Sequence, residues 1–403
     1  MIFLETPKKY RPLVAQAHQV AANIFRPISR KYDRAEHEVP HELEVLAALL
    51  EGMGSSGQSD VGGGVDAVSR GAKKGGKNLN GSNMATVLSF AELCWGDVGL
   101  ALSIPRQGLG NAAIAAVANA EQKKRFAGTW ASMAITEPGA GSDSAAIRTT
   151  ARRDGDSWVL NGEKIYVTAG DRSDAVVVWA SLDLKLGRAA IKSFVVPKGT
   201  PGMEVVRLDH KLGIRASDTA TISFNECRVP LDAILGSPEI DVERSFAGVM
   251  QTFDNTRPLV AAMAVGISRA ALELTESLLE DATEGSDPYA PRFTQSAARA
   301  ELDWMWAELE AAHLLTVRAA WMSDNGLPNS VEASMAKAKA GRVSNAVTLR
   351  CVELAAGLGY TETHLLEKWA RDSKILDIFE GTQQIQLLII ARRLLGKSSS
   401  ELK

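Results

Sequence analysis

A single carboxylate, Glu380, lies between an aromatic residue and a glycine in the run Arg371-Asp372-Ser373-Lys374-Ile375-Leu376-Asp377-Ile378-Phe379-Glu380-Gly381-Thr382-Gln383-Gln384-Ile385-Gln386. A carboxylate held against apolar neighbours is disfavoured as an anion, so its pKa can rise toward working pH. A general base that removes a weakly acidic proton needs that property. The same run also fits a helix terminus, with Glu380 in solvent beside a glycine bend and Thr382 capping the next helix.

Met133-Ala134-Ile135-Thr136-Glu137-Pro138-Gly139-Ala140-Gly141-Ser142-Asp143 is the second dense motif. Its proline and glycines force a turn in which backbone N–H groups can converge on an anionic or carbonyl-rich ligand. Thr136 and Ser142 add hydroxyls. The plainer alternative is a connecting loop with Thr136 and Asp143 as caps. The pattern G-x-G-x-x-G on a strand-to-helix turn is not followed, so a Rossmann site is not indicated. In Lys164-Ile165-Tyr166-Val167-Thr168, read as a strand, Tyr166 and Thr168 share a face because the strand period is two. They make a wall for a planar heterocycle, or an ordinary half-buried strand. Phe253-Asp254-Asn255-Thr256-Arg257-Pro258 opens a long helix with Pro258 in its first turn. Asp254 and Arg257 are three apart and can pair, contact a polar ligand or cap the helix.

At 403 residues two or three domains are expected. Residues 1–128 read as a helical domain, with candidate helices over Arg11–Ile24, His41–Leu50 and Met84–Ala101. The Gly- and Ser-dense stretch Glu51–Asn83 reads as a loop, either a flap beside a ligand entrance or a solvated surface segment. Residues 129–240 read as a central antiparallel β-domain. Within it, Ser157–Leu160 and Lys164–Thr168 flank Asn161-Gly162, a strong hairpin-turn signal. Residues 241–403 read as a four-helix bundle; Val260, Met263, Ile267, Ala271, Leu274 and Leu278 form one apolar stripe in it. A net charge of −3 gives no pull toward nucleic acid. Three cysteines far apart argue against a disulfide framework or zinc site. No secretory signal pattern opens the chain and no long uninterrupted apolar run crosses it. A cytoplasmic location without a membrane span is therefore expected.

In order and sequence these motifs resemble the acyl-CoA dehydrogenase family. Thr136 to Asp143 is similar to its TEPxAGSD motif, and Lys164 to Thr168 to its K-x-W-I-T strand with Tyr for Trp. Lys211 to Thr219 and Arg228-Val229-Pro230 resemble the end of its β-domain. Phe253 to Pro258 resembles FDxTRP, and Gly359-Tyr360-Thr361, Arg371-Asp372 and Phe379 to Thr382 its C-terminal block. The resemblance covers nearly the whole chain. It implies an N-terminal helical domain, a central β-domain and a C-terminal four-helix bundle, with FAD as cofactor. Glu380 would take the α-proton of an acyl-CoA thioester while the β-hydrogen leaves as hydride to the flavin, giving a trans-2-enoyl-CoA. The backbone N–H at the catalytic Glu, with a flavin hydroxyl, would polarise the thioester carbonyl. Met133, Ile135 and Thr136 would contact the flavin, Gly141 and Ser142 its phosphate side, with Ser142 also reaching CoA. Tyr166 would cover a ring face, Thr168 would bond near its edge, and Gly357, Thr382 and Gln384 would complete the cofactor contacts. Asp254, Arg257 and Gly381 would serve the substrate, Gly381 by leaving room for the thioester. Thr256 stands where some branches of the family place the base, and it cannot act as one. The partner implied is an electron-transferring flavoprotein.

Two departures bear on the adenine half of the cofactor. The family's R-x-x-F-G is absent; Arg292-Phe293 stand adjacent with no following glycine. Its Q-x-x-G-G-x-G becomes Glu353-Leu354-Ala355-Ala356-Gly357-Leu358-Gly359, which sets a carboxylate where the family has a donor. Either a homotetramer with altered contacts is expected, or a hetero-oligomer whose related subunit completes the site. In the latter the chain could also be a non-catalytic, acyl-CoA-binding subunit.

Overall fold

The computed structural model describes residues 6–47, 80–106, 109–240, 247–279, 291, 294, 296–397 and 401, and of 247–255 the backbone alone. Residues 51–79 of the Gly-rich stretch, the Arg292-Phe293 pair and the Asp254 side chain lie outside the described residues.

Helix α1 (Arg11–Val20) passes through a wider π-type turn at Ala21–Phe25 into α2 (Arg26–Arg34), so the helix read as ending near Ile24 continues. Pro27 has no N–H to give to the helical ladder. The wider turn just before it is the adjustment that takes this up. Helix α3 (Ser82–Gly96) stops at Asp97, whose carboxylate accepts from the Leu100 N–H at 2.9 Å and caps a short helix, Val98–Leu102. Helix α4 (Leu109–Val117) then leads to the strands.

Seven strands form one sheet: β1 (Ala131–Ala134), β2 (Thr150–Asp154), β3 (Ser157–Thr168), β4 (Ala175–Ser181), β5 (Ile191–Pro197), β6 (Met203–Leu208) and β7 (Thr219–Pro230). Their order is β1-β4-β2-β3-β7-β6, with β5 also on β4. Most pairs are antiparallel; β1 runs parallel to β4, and β2 meets β4 in parallel at one position. Strand β4 is a continuous apolar run because both its faces are covered. Val176 and Val178 pack with Phe194 and Ile222, whereas Val177 and Trp179 pack with Ala113 and Ile114 of α4.

Asn161-Gly162 does not make the hairpin turn expected of it. Strand β3 runs straight through, and the turn falls earlier, at Gly155-Asp156, with Gly155 at φ 58°. Gly162 sits at a bulge against β7 with φ 151°, and a Cβ there would lie 2.4 Å from Thr149 Oγ1. Its glycine serves close packing on Thr149.

The C-terminal helices are α5 (Ala247–Leu278), α6 (Ala297–Asp324), α7 (Ser330–Leu354), α8 (Leu366–Ser373) and α9 (Gln383–Leu395). The apolar stripe of α5 is the core face expected: Val260, Met263, Ile267 and Ala271 are buried. The part from Thr256 to Leu278 is long and apolar enough to cross a membrane, and most of it is buried among its neighbours. Pro258 lies inside α5 rather than in its first turn, which begins at Ala247. It leaves the carbonyl of residue 254 without a helical donor. Helix α3 packs along α5, and Leu93, Cys94 and Val98 share one core with Ile267, Leu309 and Trp369.

A buried charge cluster ties the three regions. Lys368 Nζ on α8 donates to Asp97 Oδ2 at 2.7 Å and to Asp372 Oδ2 at 2.5 Å, with all three side chains at most 1% exposed. Ser29 on α2 donates to Asp97, and Asp372 accepts from the Ile214 N–H beyond β6 at 2.5 Å. Burial works against the Lys368 ammonium, but the two carboxylates outweigh it and raise its pKa. Burial likewise lifts the Asp372 carboxyl above its ordinary value, against the pull of Lys368. Beside this, Arg371 makes a two-pronged pair with Asp33 at 3.0 and 2.6 Å and donates to Leu212 O at 2.9 Å.

Removing one member of such a cluster leaves an uncompensated buried charge, which costs ~3–5 kcal/mol. Lys368→Met is therefore expected to lower the urea-unfolding midpoint strongly. Lys397→Met, which removes an exposed pair with Glu401, should leave the midpoint unchanged. Equal midpoints for the two variants would contradict a supporting role for the cluster.

Candidate active site

Glu380 lies in the link between α8 and α9. Its φ is 56° and that of Gly381 is 92°, two left-handed residues in succession. For a non-glycine residue this backbone is strained and persists only where the surroundings enforce it. Gln386 on α9 donates from Nε2 to the carbonyls of Glu380 and Gly381, both at 3.0 Å. Lys337 on α7 donates to the Gly381 carbonyl at 2.7 Å. The backbone and Gln386 both call for a glycine at 381: its φ is left-handed, and a Cβ there would stand 2.5 Å from the Gln386 amide nitrogen.

The link lies on one stripe of α7, at helical spacing. Thr348 meets the Ser373 hydroxyl at 2.8 Å, and Asn345 donates to the Ser373 carbonyl at 2.9 Å. Gly341 lets the Leu376 carbonyl approach, and Lys337 ends the stripe beneath Gly381. Below Glu380, α5 presents Thr256, whose Oγ1 donates to Glu380 Oε2 at 2.8 Å. Glu380 as a residue keeps some accessible surface, yet protein closes around its carboxyl. Burial pushes that carboxyl above its ordinary value; the Thr256 hydroxyl, Arg257 and Lys337 pull it back. Burial in turn lowers the Lys337 ammonium to about 8, while Asp377 and Glu380 hold it up and Arg257 adds to the lowering.

A second group of contacts shapes the Thr136–Asp143 motif. Glu137 and Ala140 exchange backbone hydrogen bonds at 3.0 and 3.1 Å, closing a turn over Pro138 and Gly139. The Glu137 side chain points inward. It accepts from the N–H groups of Arg148 at 2.6 Å and Thr149 at 2.9 Å, from the Thr149 hydroxyl at 2.6 Å and from Lys164 Nζ at 2.7 Å. Lys164 also donates to the Ile135 carbonyl at 3.0 Å, and the Ile165 N–H to the Thr136 carbonyl at 2.9 Å. Burial brings Lys164 down to about 8 although Glu137 opposes it, whereas Glu137, despite burial, is held below its ordinary value by Lys164, Thr149 and Arg148. Four donors converge on that carboxylate, which favours its charged form.

Around the turn the space is open. A Cβ at Gly139 would meet nothing within 4 Å, and one at Gly141 only the Thr136 methyl at 3.9 Å. Gly141 and Ser142 are exposed. Tyr166 stands at a second bulge of β3 with φ 59° and is 65% exposed. Val167 is buried and Thr168 half-buried after it, and the bulge breaks at Tyr166 the strict alternation from which a shared face was expected. Met133, Ile135, Thr136 and Thr168 are half-buried beside this surface.

The structure thus brings Thr256, Arg257, Glu380 and Gly381 together, and Ile135 and Thr136 against β3. Thr382 caps α9, its hydroxyl accepting from the Ile385 N–H at 3.4 Å, and Gln384 is exposed on that helix. Gly357 lies on the exposed helix Ala356–Tyr360; no contact among the described residues joins it to Glu380 or Thr136. Glu353 is paired with Arg350, which also holds Glu301, so one guanidinium is shared between two carboxylates. Sequence reasoning missed Lys337, Gln386, Glu137 and Lys164 as working residues. The only sign was the stripe Lys337, Gly341, Asn345 and Thr348 in an otherwise Ala-rich helix.

Comparison with known proteins supplies the identity. The profile described as "Acyl-CoA dehydrogenase, C-terminal domain" matches residues 246–395, and "Acyl-CoA dehydrogenase, middle domain" matches 132–227. The human mitochondrial short-chain specific acyl-CoA dehydrogenase is 34% identical over 97% of this chain and 91% of its own. Butyryl-CoA dehydrogenase from Megasphaera elsdenii superposes with a TM-score of 0.83 at 27% identity, over 98% of this chain and all of that one. A glutaryl-CoA dehydrogenase from Mycobacterium smegmatis in complex with FADH2 superposes with a TM-score of 0.77 at 25% identity, over 98% of this chain and 96% of that one. Similarity over nearly the whole length, in sequence and in fold, makes this chain a member of the acyl-CoA dehydrogenase family of FAD-dependent oxidoreductases.

Proposed function

We propose that this chain dehydrogenates short-chain acyl-CoA thioesters to trans-2-enoyl-CoA, with Glu380 as the base for the α-proton. The observation that carries this is the Glu380 carboxyl, buried enough to be raised in pKa and fixed by a hydroxyl on a neighbouring helix. An α-proton of a thioester is weakly acidic, and a carboxylate of raised pKa takes it better than an ordinary one. The short acyl chain follows the names of the human and Megasphaera elsdenii relatives.

The residues present fit FAD. Tyr166 offers an uncovered aromatic face, and the glycine edges at 139 and 141 leave room beside exposed backbone. When bound, FAD supplies the two-electron acceptor for the β-hydrogen. Tyr166 and Thr168 would hold its ring with Met133, Ile135 and Thr136. Gly141 and Ser142 would hold phosphate, and Gly357, Thr382 and Gln384 would add contacts. Glu137 and Lys164 reach none of this directly; they keep the Ile135–Thr136 backbone in place. Thr256 occupies Glu380 Oε2, so Oε1 is the oxygen assigned to the proton. The Glu380 N–H would polarise the thioester carbonyl as negative charge develops there. Arg257, and Asp254 one turn before it, would brace this side or meet the pantetheine. Electrons would pass on to an electron-transferring flavoprotein. The oligomer we favour is a homotetramer that holds FAD with altered contacts, over a hetero-oligomer whose related subunit completes the site. A non-catalytic subunit would have no use for a buried, hydrogen-bonded Glu380.

Expressed alone, the chain should retain flavin, and anaerobic butyryl-CoA should bleach its absorbance faster than long-chain thioesters do. Glu380→Gln should slow bleaching by at least ~10²–10⁴ with flavin content unchanged; bleaching at the original rate would show that Glu380 is not the base. The base works deprotonated and burial raises its pKa. Stopped-flow bleaching rates should therefore rise with pH along a limb lying above the ordinary glutamate value of 4.5. A limb at or below that value would contradict the burial argued for the site.

A further inference from the structure

The strained turn at Glu380–Gly381 has two buried side chains holding its carbonyls, and no part of the reaction described above uses either. Gln386 is fully buried on α9 and bonds both carbonyls. Lys337 is fully buried on α7 and bonds the second. Lysine is almost never buried without a paired carboxylate; here its hydrogen-bond partner is a backbone carbonyl. We propose that Lys337 and Gln386 are positioning residues for the Glu380 base, together locking its backbone in the left-handed turn, with Lys337 adding a cation at the carbonyl next to it.

The two halves of the clamp differ in kind. Gln386 is neutral and acts on geometry alone. Lys337 acts on geometry and on charge. Among the described residues, the charged groups that face Glu380 are Arg257 from α5 and Lys337 from α7, and Asp377 of the same link faces Lys337. Loss of the Lys337 cation leaves Arg257, among the described residues, to favour the Glu380 anion, so proton affinity at Glu380 must rise. Loss of Gln386 frees the turn and leaves the charges as they were.

The inference rests on Glu380 being the base, and the test separates the two. In the flavin-loaded enzyme, Lys337→Met should slow flavin reduction by butyryl-CoA ~10²-fold, the scale of a misplaced reacting group. It should also move the acid limb of the pH profile up by about one unit, as expected when an opposite charge is withdrawn. Gln386→Met should slow the reaction ~10-fold and leave the limb in place, and Lys337→Arg should return the limb toward its original position. Hydrogen–deuterium exchange of the 378–386 segment should quicken in both methionine variants. A residue that only supports the fold would change stability or flavin content without moving the limb. If both methionine variants keep the original rate, limb and exchange while Glu380→Gln is inactive, the clamp is wrong and the base stands. If Glu380→Gln stays active, the clamp has no base to position and falls with it. Should Lys337→Met fail to fold, Gln386→Met decides by its rate and exchange: unchanged values overturn the clamp, slowed reduction with faster exchange supports it.

Discussion

Lys368, buried between Asp97 and Asp372, is the interaction on which the rest of the molecule depends. A charge in a dry interior is tolerated only with a partner, and one left alone costs several kcal/mol. The three members therefore constrain one another's position closely. Asp97 comes from the N-terminal helices, Lys368 and Asp372 from α8, and the Ile214 N–H that completes the cluster comes from the β-region. Three regions that could pack in several ways by apolar contact alone are brought to one arrangement.

Helix α8 carries that arrangement to the site. Its last residues run directly into the link that ends at Glu380, eight positions after Asp372. From there α7 takes over as a bench: Thr348, Asn345, Gly341 and Lys337 meet the link in turn. The backbone arrives at Glu380 with nowhere to relax, which is how two left-handed residues in a row persist. The carboxyl then sits where burial raises its proton affinity and Thr256, Arg257 and Lys337 limit the rise. Too much burial would keep the carboxyl protonated, and too little would leave a weak base.

Much of this was legible in the chain. Helices, then strands, then helices follow from the change of period, and the stripe from Val260 to Leu278 names the buried face of α5 correctly. Glu380 and the Thr136–Asp143 turn stand out because apolar and glycine neighbours around a polar residue are chemically unusual. What was not legible depends on contacts distant in sequence. Asn161-Gly162 carries a local turn signal, but pairing of β3 with β7 and the crowding of Thr149 overrule it. Pro258 carries a helix-start signal, and α5 runs through it because its apolar face is already committed to the core. Lys337 resembles any solvated lysine on an Ala-rich helix until the link folds over it. Glu137 and Lys164 are separated by 27 positions and declare their pairing only when β3 passes the turn.

The central claim, that Glu380 exchanges a proton with the α-carbon of an acyl thioester, is tested most directly at that carbon. In D2O, the anaerobic flavin-loaded enzyme should wash deuterium into the α-position of butyryl-CoA, read by mass spectrometry or NMR, and Glu380→Gln should not. Equal deuterium uptake by the two proteins would contradict the claim, because some other group would then be moving the proton.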